Sequence, residues 1–216
     1  MTQEIISLYA FPVDKRRQGE LQLPASIAQQ IGESVPPSRL VFHSATSGEL
    51  EEVALIASYL DEHTRVASIA ETESGYYWVV SSKEEGLPGR IYIPTTPSPG
   101  KMKWADFSDG THVIARRFLN AFDSGDMMHS PFHHIGVKAT DYCDFSHAGT
   151  RGSRNKWRDS VVFYMSIGGD AVLVAPNEEA AWFQLETNEI IPAGTLSEVV
   201  IRYLGAALRG DDFSSW

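Results

Sequence analysis

The sequence predicts an α+β protein: a mostly antiparallel sheet, or sheets, with helices packed on one face. Two observations carry that prediction. Short aromatic and β-branched runs such as "YYWVVSS" and "VVFYM" stand between glycine- and proline-bearing turns, as neighbouring antiparallel strands do. Two longer stretches, "TSGELEEVALIASYLDEH" and "GTLSEVVIRYLGAAL", repeat apolar residues at helical spacing, and each opens with a capping box. At 216 residues the chain suits one domain, or two sub-lobes, 1–125 and 126–216, sharing a core.

In chain order, the apolar stretch "IISLYAF" is followed by a charged break at Asp14 to Arg17. "LPASIAQQIGE" reads as a short helix, with Pro24 in its first turn and Gly32 near its end. "RLVFHS" reads as a strand. In the first long helix Thr46 and Glu49 form the capping box, and Leu50, Val53, Ala54, Ala57 and Leu60 form an apolar stripe. "YYWVVSS" and "RIYIP" are strands on either side of the turn "KEEGLPG". After the proline-rich loop "TTPSPGK", "THVIARRFLNAF" is a helix with Ile114, Phe118, Ala121 and Phe122 on one face, ended at "DSGD" by Gly125.

The C-terminal third is the most regular. "SVVFYMSIGGDAVLVAP" is a hairpin turning at Gly168-Gly169, and "AWFQLETNEIIP" is a second one turning at Thr187-Asn188. The last helix opens on Thr195 and Glu198 and buries Leu196, Val199, Val200, Tyr203, Leu204 and Ala207. The stretch from "YYWVVSS" to "THVIARRFLNAF" and the stretch from "VVFYM" to "VVIRYLGAAL" share an order of parts. That order suggests two similar strand–hairpin–helix units, the mark either of a divergent duplication or of a common building unit met twice.

The formal charge is −10, from 28 acidic and 18 basic side chains. Such a balance repels nucleic acid, whose binding is built from clustered Lys and Arg, and favours encounter with basic partners. No apolar run is long enough to cross a bilayer, and the charges of "MTQEIISLYAFPVDKRR" follow its apolar patch, the reverse of a secretory signal. A single cysteine allows no internal disulfide. A cytoplasmic protein is expected, with neither nucleic acid nor membrane as partner.

Four of seven histidines and the only cysteine fall in "HSPFHHIGVKATDYCDFSH". His129 and His133 are separated by three intervening residues, as are Cys143 and His147, and paired N and S ligands are what tetrahedral zinc takes. Against a metal, Pro131 breaks the first pair and "IGVKATDY" is a short separation between ligand pairs. Cys143 beside a histidine also raises a thiol nucleophile, but a lone cysteine is more often a small buried hydrophobe. No GxSxG elbow, phosphate loop or dinucleotide fingerprint is present. "TRGSRNKWRDS" gathers Arg151, Arg154, Lys156 and Arg158 around Trp157, which suits an anion site with a stacking ring or a solvated loop. Glu178 and Glu179 beside Trp182, and Asp211 and Asp212 beside Trp216, are what a surface for a basic protein would contain.

The stretch "GGDAVLVAPNEEAAWFQLETNEIIPAGTLSEVVIRYL" resembles the end of a SUKH-superfamily domain: a glycine turn before a strand, a Trp-bearing strand, and a capped helix ending in Tyr203-Leu204. "LPASIAQQIGE" stands for the family's Leu-Pro helix, with "ESVPP" where the family carries Gly-Gly. The resemblance implies a small α+β immunity protein that neutralises a bacterial toxin by covering its basic active site, with no cofactor. Two alternatives stand beside that non-enzymatic binder. One is a metal-dependent enzyme or zinc-stabilised protein built on His129, His133, Cys143 and His147, and the other a structural or assembly protein.

Overall fold

The computed structural model describes residues 5–10, 27, 35–96, 109–118, 122–123, 137–145, 156–166 and 168–211. The fold is α+β, with two antiparallel sheets. The first holds β1 (Ile5–Ala10), β2 (Thr64–Thr72), β3 (Gly75–Ser82), β4 (Arg90–Pro94) and β5 (Phe122–Asp123), in sequential order. The second holds β6 (Val137–Lys138), β7 (Val161–Met165), β8 (Ala171–Val174), β9 (Glu179–Gln184) and β10 (Glu189–Thr195), again with each strand beside its predecessor. Helices are α1 (Pro37–Val41), α2 (Ser47–Glu52), α3 (Ala54–His63), α4 (Asp109–Phe118), α5 (Ala139–Tyr142) and α6 (Leu196–Arg209).

Alternation along the strands gives each sheet two apolar faces. In β3, Trp78 and Val80 enter the main core while Tyr77 and Val79 pack on the opposite side. In the second sheet Val172, Val174 and Ala180 enter the main core, and Ala171, Leu173 and Phe183 pack behind it with α5. A register shift between Val162 and Tyr164 lets two successive aromatics, Phe163 and Tyr164, both reach the main core. That core is common to the two sheets. Ile69 and Ile91 of the first, Phe163 and Val174 of the second, Ile56 and Leu60 of α3, and Tyr203 and Leu204 of α6 are all fully buried within it. Each such aliphatic side chain contributes about 1.5–3 kcal/mol on removal from water.

Helix α6 has both ends secured. Thr195 donates its N–H to the Glu198 carboxylate at 2.7 Å, and the Glu198 N–H returns to the Thr195 hydroxyl at 3.3 Å. Gly210 closes the helix at φ 74°, a left-handed conformation that costs glycine nothing. The first half of the chain adds its own contact, because the Gly89 N–H donates to the Leu208 carbonyl at 3.1 Å. A Cβ on Gly89 would overlap the Ala207 carbonyl, so only glycine lets this loop approach the helix end.

Both C-terminal hairpins and the buried face of α6 lie where the sequence places them. Asn188 takes φ 56° in the β9–β10 turn. Elsewhere the structure differs. "RLVFHS" is not a strand: residues 37–41 are helix α1 and Phe42 is its C-cap. Pro37, in the first turn, pre-sets the helical φ and lacks only an N–H that would be unpaired there anyway. The predicted long helix divides at Val53 (φ −99°, ψ 12°) into α2 and α3. The break rotates the stripe, so Val53, Ile56 and Leu60 are buried while Leu50 and Ala54 are exposed.

Strand β2 escapes the sequence reading altogether because Arg65, Ser68 and Glu71 interrupt its apolar run. Helix α4 ends at Phe118, and Phe122 belongs to β5 instead of the helix face. Of "LPASIAQQIGE" only Ile27 is described, helical and buried; the Gly125 cap and Trp104 of the first repeat unit lie outside the described residues.

Candidate docking groove

Between α6 and the β8–β10 side of the second sheet lies a groove of about 200 Å³. Its helix wall is Val199, Arg202 and Tyr203, and its sheet wall includes Trp182, Ile191 and Pro192. The pleat produces this arrangement. Trp182 lies two residues beyond Ala180, on the same face of β9, and Ile191 stands opposite Trp182 in register on β10. Tyr164 holds the floor together. Its ring lies 5.9 Å from Trp182 in a stacked arrangement and 4.6 Å from Tyr203. Ile191 is 43% exposed, a large aliphatic left in water at the lip.

Two further properties bear on what the groove takes. The Trp182 indole N–H is buried and has no hydrogen-bond acceptor among the described residues. A donor buried without a partner costs about 1–3 kcal/mol of desolvation. Among the described residues Arg202 is the one charged residue in the lining, and the exposed Glu186 and Glu189 flank the β9–β10 turn. Among the described residues strand β10 pairs with β9 only, but it is poorly made for strand addition. Pro192 has no N–H to offer, and a register shift follows it before Gly194. The groove therefore favours side-chain docking over strand addition.

The predicted acidic docking residues are placed differently from Trp182. Glu178 sits in the β8–β9 turn at φ 62°, where its carboxylate accepts from the Thr111 hydroxyl and its carbonyl from the Leu196 N–H. Glu179 pairs with Lys156, which holds its carboxyl below the usual range. Asp211 pairs with Arg209 at 2.7 Å. None of the three is a free carboxylate. Asp212 and Trp216 lie outside the described residues.

His129, His133 and His147 also lie outside the described residues, and among the described residues no three potential metal ligands converge. Cys143 is 5% exposed in the rear core with Phe145 and Trp157, and burial pushes its thiol up to about 12. At neutral pH it is a small apolar side chain. Trp157 is itself buried, so its ring is not a stacking face for an anion; Lys156 lies over it, 5.4 Å from the centroid. Arg151 and Arg154 lie outside the described residues.

Of the groove's lining, the sequence singles out Trp182 and passes over Ile191, Pro192 and Arg202. The signal was present in "EIIPAG", where two branched apolar residues before a proline mark an edge strand with one of them facing out. No protein-family model, no curated protein and no solved structure matches the chain. No helix among the described residues is long and apolar enough to cross a membrane.

Proposed function

We propose that this is a non-enzymatic binding protein that docks a basic protein partner, with the groove between α6 and β8–β10 as its anchor point. One observation carries the reading: an apolar groove lined by Trp182 and Tyr203, with exposed Ile191 at its lip. Aromatic residues in a desolvated pocket, surrounded by charge, are the usual anchors of protein interfaces. The basic character of the partner follows from the net charge of −10, which favours encounter with a cationic surface. The occupant supplies an apolar side chain to sit against Ile191, with Lys or Arg beside it.

The narrower reading, an immunity protein that blocks a bacterial toxin's basic active site, rests on the C-terminal resemblance and on the acidic balance. Both readings are tested together. Affinity-tagged wild-type protein and its Ile191→Asp variant are used to isolate partners from cells, and the candidate is then purified and titrated. A basic partner bound one to one, released by salt and at least tenfold weaker with Ile191→Asp supports the docking reading. Undiminished binding to the variant sinks it. Inhibition of the partner's own toxicity by the wild type, but not by the variant, separates the immunity reading from plain association.

A further inference from the structure

Arg117 is the anomaly of the interior. It lies near the end of α4, is 1% exposed, and ranks among the largest fully buried side chains. A buried cation is normally answered by a carboxylate, because removing a charge from water is costly unless an opposite charge replaces the lost hydration. Among the described residues Arg117 has only neutral partners. Its Nη1 donates to the Pro94 carbonyl at 3.3 Å, and its Nη2 lies 2.9 Å from both Ser44 Oγ and His43 Nδ1. The buried carboxylate of α2, Glu49, is engaged by Arg116 and by the Thr46 N–H. Burial and the neighbouring Arg116 push the Arg117 guanidinium down to about 10, so it keeps its charge at neutral pH.

The door to this charge is one exposed turn. His43 and Ser44, between α1 and α2, are both exposed although the guanidinium beneath them is not. Their hydrogen bonding is also overcommitted. His43 Nδ1 lies 3.0 Å from the Leu40 carbonyl and 2.9 Å from Arg117 Nη2. One ring nitrogen can donate to the carbonyl or accept from the guanidinium, but not both. Burial holds His43 below its ordinary value, so a second proton is not the remedy at neutral pH. An external acceptor on Nη2 removes the conflict, because His43 is then free to donate to Leu40.

We propose that Arg117 is the buried half of an oxyanion site, and that a phosphoryl group of a small ligand enters through the His43–Ser44 turn to complete it. A guanidinium matches such a group well, since its planar fork offers paired N–H donors to two oxygens. The Ser44 hydroxyl, turned outward by rotation about χ1, becomes a donor to a third oxygen. This site lies on the α1–α2 turn and α4, and it is independent of the docking groove.

The test compares thermal midpoints of the whole chain in sodium phosphate and in sodium chloride at equal pH and ionic strength. At tenfold excess over its Kd, phosphate multiplies the folded-to-unfolded ratio about 11-fold, a rise of about 3–6 °C for a chain this size. Arg117→Met, which exchanges the charge for an apolar chain of similar length, abolishes that rise. Ser44→Asp supplies the missing anion within the chain, so it raises the midpoint in chloride and makes the protein indifferent to phosphate. If Arg117→Met does not fold, Ser44→Asp and the wild-type titration decide the matter alone. Equal midpoints in phosphate and chloride, a phosphate response retained by Arg117→Met, or a Ser44→Asp variant no more stable than wild type overturns the site.

Discussion

The hydroxyl of Thr111, in the first turn of α4, donates to the carboxylate of Glu178 in the β8–β9 turn. This bond joins the helix between β4 and β5 of the first sheet to a turn of the second. It is made at some strain, since Glu178 holds φ 62° to make it. Thr111 is fully buried, so this hydrogen bond is made away from water, where its loss is felt most.

Glu178→Ala and Thr111→Val should each therefore lower stability by about 2 kcal/mol, the usual scale for a hydrogen bond to a charged group. The double variant should lose clearly less than the sum, because one bond serves both residues. Urea unfolding of the four proteins gives the coupling directly. Strict additivity would show that the two side chains act separately.

Gly89 presents a sharper case. Any Cβ there collides with the backbone of α6 at Ala207, which cannot swing aside as a side chain would. Gly89→Ala should cost about 3 kcal/mol or more and lower the thermal midpoint by about 6 °C or more. A neighbouring exposed substitution, Pro88→Ala, should shift it far less. Similar midpoints for the two would mean that the loop does not approach the helix end so closely.

The α6 capping box gives a pH signature. Hydrogen bonds from Thr195 hold the Glu198 carboxyl below its ordinary 4.5. A depressed folded value means the contribution is fully present above the unfolded value and fades as pH falls through the folded one. Thr195→Ala should destabilise by about 1 kcal/mol at pH 7. The gap between it and wild type should narrow on acidification below about pH 4. Denaturant midpoints at pH 7, 5 and 3.5 measure this, and a gap that widens in acid contradicts the assignment.

Cys143 should behave as an interior group. With its thiol pushed up to about 12 and 5% exposed, it should react with a disulfide reagent at pH 8 only as fast as the chain opens. Labelling in 6 M guanidinium should be complete within seconds, and native labelling should be slower by at least a thousandfold, following global stability. Rapid native labelling would place the thiol at the surface and reopen a chemical role for it.

How much was legible in the sequence depended on how many signals coincided. For α6, the Thr195–Glu198 box, the apolar spacing and Gly210 after the last turn agree, and helix, cap and buried face all follow. The β7–β10 hairpins were readable because Gly168-Gly169 and Asn188 fix their turns. Where one signal stood alone, it misled. "RLVFHS" has strand composition, but Pro37 in the first turn and packing of Leu40 and Val41 into the core decide for helix. In α2–α3 the phase was lost at Val53, a backbone break that residue spacing does not encode.

The site was harder to read for the same reason. Acidic residues beside aromatics look alike in sequence whether they face solvent or their own chain. Glu178 and Glu179 turned out to be matched by Thr111 and Lys156, neither of which is adjacent in sequence. Arg117 gave no sign at all, because nothing local tells a buried arginine from its neighbour Arg116, which reaches Glu49.

Both sheets are wound from consecutive strands, yet the core they share is sealed by Tyr203 and Leu204 of α6. During synthesis, then, the strands of residues 64–94 can zip together early while the apolar side they present stays open to water. Only when residues 196–209 have been made and docked does that surface close. Until that moment the growing polypeptide is sticky, and the interval is one in which a chaperone has something to hold.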